Sequence, residues 1–315
     1  MANAAPSGRC IFCDQPRLTK EHLWPDWLKR FLPRKATDHY HTTGRSTNVG
    51  DKVYAHAPDL KRQTGDIRSR KLKVVCGPCN NGWMSRLQEA AKPNLVPLLR
   101  GTWSELSAGD CEAISAWAVM FTMIVERLDL STAAVTAAER AAFYRDQRPP
   151  ANWMIWAGHC KDWPPWDFYH RGWGVFADPD VISERCSSQT TTFKVGELLL
   201  HTYSTTASVI DVDPIMFALK HGLCPLWPPT EMPYVAPNLL SSAKVNAIAH
   251  DLTSRLGLPV IIPPVRPTIA SRFRRRACRL RPRSPAHAPI HANALAMMAA
   301  FWPERCRQSG TMIVF

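Results

Sequence analysis

No apolar stretch of this chain reaches the roughly 20 residues that a bilayer-spanning helix requires. The longest, Ala113 to Val125, is interrupted by Ser115 and Thr122. The first residues, Met1 to Arg9, are small and polar and lack the apolar segment of a secretory leader. Acidic residues are absent from one long region, with none between Asp251 and Glu304. The first two absences give the expectation of a soluble, cytoplasmic protein without a membrane partner. In a reducing compartment its ten Cys are metal ligands more readily than crosslinks. With 315 residues and 45% apolar content, the chain can build one large core or two ordinary ones without disulfides.

The charge is uneven along the chain. Residues 1–100 carry 18 Lys+Arg against 8 Asp+Glu, residues 101–251 carry 10 against 17, and residues 252–315 carry 11 against 1. A basic head and tail thus flank an acidic middle, the distribution of a polyanion-binding module on a scaffold of other function. A GC-rich coding sequence accounts for the Arg and Pro of the tail at least as well. It leaves the acidic middle unexplained.

Within the basic head lie two Cys pairs of identical spacing, Cys10-x-x-Cys13 and Cys76-x-x-Cys79, while the other six Cys are scattered singly. A Cys-x-x-Cys turn points two thiolates at one spot, so two such turns supply four soft ligands for a structural zinc ion. Such a site can contribute on the order of 10 kcal/mol of folding free energy to a module with little core of its own. Between the pairs runs Glu21-His22-Leu23-Trp24-Pro25, and the second pair continues directly into Asn80-Asn81-Gly82-Trp83. A carboxylate beside an imidazole can divide labour, Glu21 holding a hard divalent cation and neutral His22 taking a proton from water. Asn80, in the first turn of a following helix, can complete that cation site. Lys71, Lys73 and Arg86 flank it as candidate phosphate contacts, with a solvated charged face as the alternative. Trp83 is expected to pack on the module rather than to stack on a base.

The pattern divides the chain into three. Residues 1–100 form a metal-organised module with a strand end at 18–22, a helix over 25–32, loops and short strands over 33–71, a strand over 71–75, and a helix over 80–91 ended by Pro93. Residues 101–230 form an α+β domain with two helices, one N-capped by Asp110 and running to Leu128, the other spanning 131–146 with Thr136 and Glu139 in capping-box spacing. Strands at 153–157, 173–177, 190–195, 198–203 and 207–210 favour an antiparallel sheet. Residues 231–315 form an irregular, disordered-like tail rich in Pro and Arg, with eight Arg between 266 and 283.

Cys10 and Cys13, the run Glu21-His22-Leu23-Trp24-Pro25, and Cys76 and Cys79 followed by Asn80 resemble the zinc-bearing HNH endonucleases, whose core is the ββα-metal or treble-clef fold. The resemblance covers residues 8–92, and the run Cys-Asn-Asn-Gly-Trp-Met-Ser is similar to a bacterial and phage subgroup of that family. It implies that His22 is the general base, that Glu21 and Asn80 hold a catalytic Mg or Mn ion, and that the four Cys hold the structural zinc. The implied activity is hydrolysis of phosphodiester bonds in DNA, with RNA left open as substrate. Two features depart from the family. The Asn that orients the catalytic His before the second Cys pair is missing from Arg70-Lys71-Leu72-Lys73-Val74-Val75, and a long insertion carries His39, His41, Asn48 and His56. A zinc-dependent nucleic-acid-binding module without cleavage is the main alternative. A protein-interaction scaffold centred on residues 101–230, with a merely structural zinc, is the other.

Overall fold

The computed structural model describes residues 8–31, 38–49, 52–55, 59–64, 67–163, 167–174, 186–207, 211–230, 236–255 and 310–314; for 38–67, 253–255 and 310–314 it describes the backbone alone. The fold is mixed α+β. Near the N-terminus β1 (Leu18–His22) pairs antiparallel with β5 (Lys71–Cys76) as a two-stranded sheet. Its register shifts between Thr19 and Glu21, where Lys73 and Val74 of β5 face the single Lys20. Such a bulge turns the strand locally. The turn after β1 is a 3-10 segment, Asp26–Arg30, rather than a longer helix.

Beyond β5 the chain enters α1 (Gly77–Cys79), a π turn (Asn80–Met84) that kinks at the non-helical Gly82 (φ −97, ψ −108), and α2 (Ser85–Leu99). Pro93 does not end α2, contrary to the expectation from sequence, and Pro97 lies inside it as well. Leu87, Ala91, Leu95, Leu98 and Leu99 are buried along one face, and that packing outweighs two missing N–H groups. Pro93 is on the exposed side, where water can take up a freed carbonyl.

The central helix α3 (Ala108–Val125) is capped three residues before the expected position: Ser107 is the N-cap and Asp110 sits at N3, the two closing a capping box. With its continuation it spans Ala108–Leu128, 21 residues, longer than the Ala113–Val125 run that the sequence singled out and, contrary to that expectation, long and apolar enough by length and composition alone to cross a membrane. Its apolar window is 67% buried inside the fold, and it is the helix around which the core forms. The box of Thr136 and Glu139 is present, but α4 (Ala137–Asp146) begins only there, residues 130–132 being a separate 3-10 turn.

The sheet strands run longer than the sequence suggests and one is displaced: β6 (Trp153–Cys160), β7 (Asp167–Trp173), β8 (Ser188–Val195) and β9 (Leu198–Thr205). Residues 208–210 of the last expected strand lie outside the described residues. The antiparallel order β6-β9-β8-β7 gains β10 (Cys224–Trp227) beyond β6 and, beyond β7, β12 (Gly310–Val314) and β2 (Asp38–Val49). β3 (Lys52–Ala55) and β4 (Asp59–Thr64) pair with β2, and β11 (Leu239–Leu240) lies parallel to β6. Residues of the expected head and tail therefore join the sheet of the middle segment.

Helix α3 covers one face of this sheet through Trp117 and Phe121 against Phe193 and Phe168. The other face is covered by α5 (Pro214–His221) and α6 (Ser242–Arg255), neither of which the sequence announced. The N-terminal hairpin shares the α3 core: Trp24, fully buried, lies 4.7 Å from Phe121 and 6.2 Å from Phe168, centroid to centroid.

Candidate metal centre and active site

The two Cys turns meet at one point. The sulfur atoms of Cys10, Cys13, Cys76 and Cys79 all lie within 4.8 Å of one another, with Cys13 Sγ 3.4 Å from both Cys76 Sγ and Cys79 Sγ. All four thiols are free. A disulfide requires a separation near 2.05 Å, whereas sulfurs ligating one tetrahedral zinc ion at 2.3 Å stand about 3.8 Å apart. The cluster can therefore hold a metal ion such as zinc. Burial raises the thiols of Cys13 and Cys79, so ion binding is coupled to release of their protons. Local geometry explains the convergence: Cys10 N–H donates to Gln15 O and Asp14 N–H to Cys10 O, closing the first turn, while Ile11 N–H donates to Val74 O and ties it to β5. Trp83 is a packing residue of this module, edge-on to Phe12 at 4.9 Å and to Phe143 at 5.6 Å.

Glu21 and Asn80 come together beside the cluster. The Glu21 carboxylate is buried, and the Asn80 amide, whose Nδ2 lies 3.4 Å from Thr19 Oγ1 on the same strand, favours its charged form. Thr19 in turn donates to Val75 O at 3.2 Å. The bulge in the hairpin and the π turn after Cys79 set the strand end and the helix start face to face. Burial pushes the Glu21 carboxyl up to about 7, against the opposing effects of the Asn80 amide and Lys71.

His22 is adjacent, its side chain 24% exposed. Burial, together with the cations Lys71 and Lys29, holds its imidazole below the usual range, with Asp26 opposing. At neutral pH it is a neutral base open to solvent. Asp26 stands one turn on, its Oδ1 3.7 Å from His22 Nε2 and in contact with Lys29 Nζ. Asp26 is not among the residues expected at this site, since its i, i+4 spacing from His22 becomes a contact only through the tight turn that follows β1.

Lys71 pairs with His22 across the hairpin, and Lys73 sits in the bulge; both are exposed, as is Arg86 on α2. The backbones of His39, His41 and Asn48 belong to β2, but their side chains, and the whole of His56, lie outside the described residues.

For a hard divalent cation this corner offers one carboxylate, one amide and one hydroxyl. Among the described residues only the Cys cluster groups three or more Cys, His, Asp or Glu side chains around one point. A donor set so sparse fits Mg²⁺, which keeps several waters and takes one or two carboxylates plus substrate phosphate. Comparison with family models, with curated proteins and with solved structures finds no match.

Proposed function

We propose that the protein is a metal-dependent endonuclease of the HNH type, cleaving DNA phosphodiester bonds at an N-terminal zinc-stabilised, treble-clef module and acting in the cytoplasm. The observation that carries this reading is the approach of Asn80, next to Cys79 of the thiol cluster, to β1 at Thr19, where the buried Glu21 and a neutral, partly exposed His22 follow. Zinc on the four Cys is structural in this reading: its ligand set is complete, leaving no position for substrate. Glu21 and Asn80 are the residues that would hold Mg²⁺ or Mn²⁺, which supplies positive charge against the scissile phosphate and the departing oxygen.

The protein's own part is positioning and proton transfer. His22 removes a proton from water as the water oxygen bonds to phosphorus. The bond from phosphorus to the 3′ oxygen breaks, and that oxygen takes a proton from solvent, leaving a 3′-hydroxyl and a 5′-phosphate. General-base help of this kind is worth roughly 10²- to 10⁴-fold in rate. Lys71 and Lys73, exposed beside His22, provide charge for the phosphate backbone.

Nicking of supercoiled plasmid in Mg²⁺ or Mn²⁺ by wild type and by His22→Ala tests the reading. Cation-dependent nicking that is lost in His22→Ala supports it; activity that survives the substitution sinks the mechanism. A binding module without cleavage is favoured by one feature, the burial of the Glu21 carboxyl, which raises it well above the usual carboxylate range where a cation ligand must carry a charge. Duplex binding without nicking in either cation selects that second reading.

A further inference from the structure

The family pattern places an orienting Asn ahead of the second Cys pair, and residues 70–75 contain none. The general base nevertheless has a neighbour. We propose that Asp26 is the positioning residue for His22, its carboxylate holding the imidazole with Nε2–H turned toward Asp26 and Nδ1 left to accept the proton of the attacking water. This inference rests on the nuclease reading above.

The geometry runs through a short anchored turn. Leu23 and Trp24 are buried and fix the chain after β1, Pro25 is extended at φ −49 and ψ 136, and the 3-10 segment that follows brings Asp26 back over His22. The separation of 3.7 Å between His22 Nε2 and Asp26 Oδ1 is one small rotation from a hydrogen bond, and such contacts commonly tighten only when substrate binds. Lys29 Nζ, one turn further, contacts the same Oδ1 and restrains the carboxylate. Of the charged groups acting on His22, Lys71 and Lys29 are cations and Asp26 is the anion. A carboxylate that holds one ring nitrogen fixes both the tautomer and the plane of the ring, the service Asp gives His in acyl-transfer triads.

Placement also gives the test its edge. Asp26 is an exposed anion, 66% accessible, in a surface whose neighbours Lys29 and Lys71 are basic. Neutralising it should tighten binding of a polyanion, so a purely electrostatic residue would make the enzyme better, not worse.

The experiment measures nicking kinetics of the full-length, zinc-loaded protein with plasmid DNA and Mn²⁺ for wild type, Asp26→Asn, Asp26→Ala and Asp26→Glu, with Asp26→Ala also made in a His22→Ala background. The expected result is a kcat lower on the order of 10- to 100-fold in Asp26→Asn and Asp26→Ala, with KM for DNA unchanged or lower. Asp26→Glu recovers part of the loss, and Asp26→Ala costs nothing further once His22 is gone. In parallel, long-range ¹H–¹⁵N spectra of His22 should show the Nε2–H tautomer in wild type and its depletion in Asp26→Ala. A wild type that cleaves, with kcat within about twofold in Asp26→Asn or with an unmoved His22 tautomer, overturns the Asp26 assignment alone. A wild type that cleaves with neither Mg²⁺ nor Mn²⁺ overturns the nuclease reading and this role with it.

Discussion

Asn80, directly after the second Cys pair, reaches across to β1 with its amide Nδ2 3.4 Å from Thr19 Oγ1, two residues before the buried Glu21. The same amide favours the charged form of the Glu21 carboxyl, while burial disfavours it more strongly. The balance leaves a carboxyl of about 7 in a corner built from a strand end, a bulge and a π turn.

Removing the donor should move that balance in one direction. Asn80→Ala leaves burial as the main influence, so the Glu21 carboxyl rises further above its present value. A hydrogen bond to a charged group contributes about 1.5–3 kcal/mol. Carboxyl carbon chemical shifts titrated between pH 5 and 9 read the change, and a Glu21 midpoint that stays put or falls would contradict the contact.

Sulfur ligation makes a separate prediction. Purified protein should contain one equivalent of zinc, and Cys79→Ser should lose most of it with a large drop in Tm. Because Trp24 and the zinc turns pack into the α3 core, the loss should lower the main thermal transition instead of melting a detached module. Elemental analysis with calorimetry checks both parts. Far less than one zinc per chain would end the four-thiolate assignment.

The shared core can be probed from the opposite side. Trp24→Ala removes a fully buried indole from a cluster with Phe121, Phe168 and Phe193, and truncations of this size cost about 3–5 kcal/mol. Urea unfolding followed by signals of α3 and the sheet should register that full cost. Unchanged stability there would mean that the hairpin folds apart from the rest.

What the sequence revealed follows the range of the physics involved. Capping boxes are local chemistry, so Thr136 with Glu139 was legible, and Asp110 was recognised as part of a cap though displaced from Ncap to N3. The Cys cluster was legible because ligand spacing is written in the chain. The reach of α2 past Pro93 was not, since it depends on Leu95, Leu98 and Leu99 finding a buried face. Helix α6 was hidden for the same reason: Val245, Ile248, Ala249 and Leu252 acquire a partner only when the second sheet face exists. Asp26 was overlooked because a carboxylate four residues from a His gains meaning only once a tight turn brings it back.

Acid sensitivity should come from the sheet. His170 and His201 are fully buried, each bonded through Nδ1 to a threonine hydroxyl, and burial brings both down to about 3. In the unfolded chain they titrate near 6.5. Between those values the unfolded state binds protons that the folded state refuses, so stability rises with pH. The contribution is whole above about 6.5 and is lost as pH falls toward 3, at about 1.4 kcal/mol per pH unit for each imidazole. Urea unfolding at pH 4.5, 5.5 and 7 should show a shallower slope for His201→Gln than for wild type. Equal slopes would mean that His201 charges in the folded state.

The nucleic-acid contacts proposed for Lys71, Lys73 and Arg86 are separable through salt. Each phosphate neutralised on duplex DNA contributes about 0.9 to the slope of log K against log salt. Lys71 stands opposite His22 and Lys73 in the neighbouring bulge, so in the nuclease reading both would flank a phosphate bound for cleavage. Arg86 projects from α2, beyond the π turn that carries Asn80. Substituting a contacting residue by Ala should flatten the slope by about one contact and weaken binding evenly across sequences, because phosphate contacts carry no base information. Fluorescence anisotropy with a labelled duplex at 50–200 mM salt distinguishes the three positions. If Lys71→Ala and Lys73→Ala both leave the slope intact, the hairpin edge is a solvated face, and the polyanion must be held by other cations of the basic head.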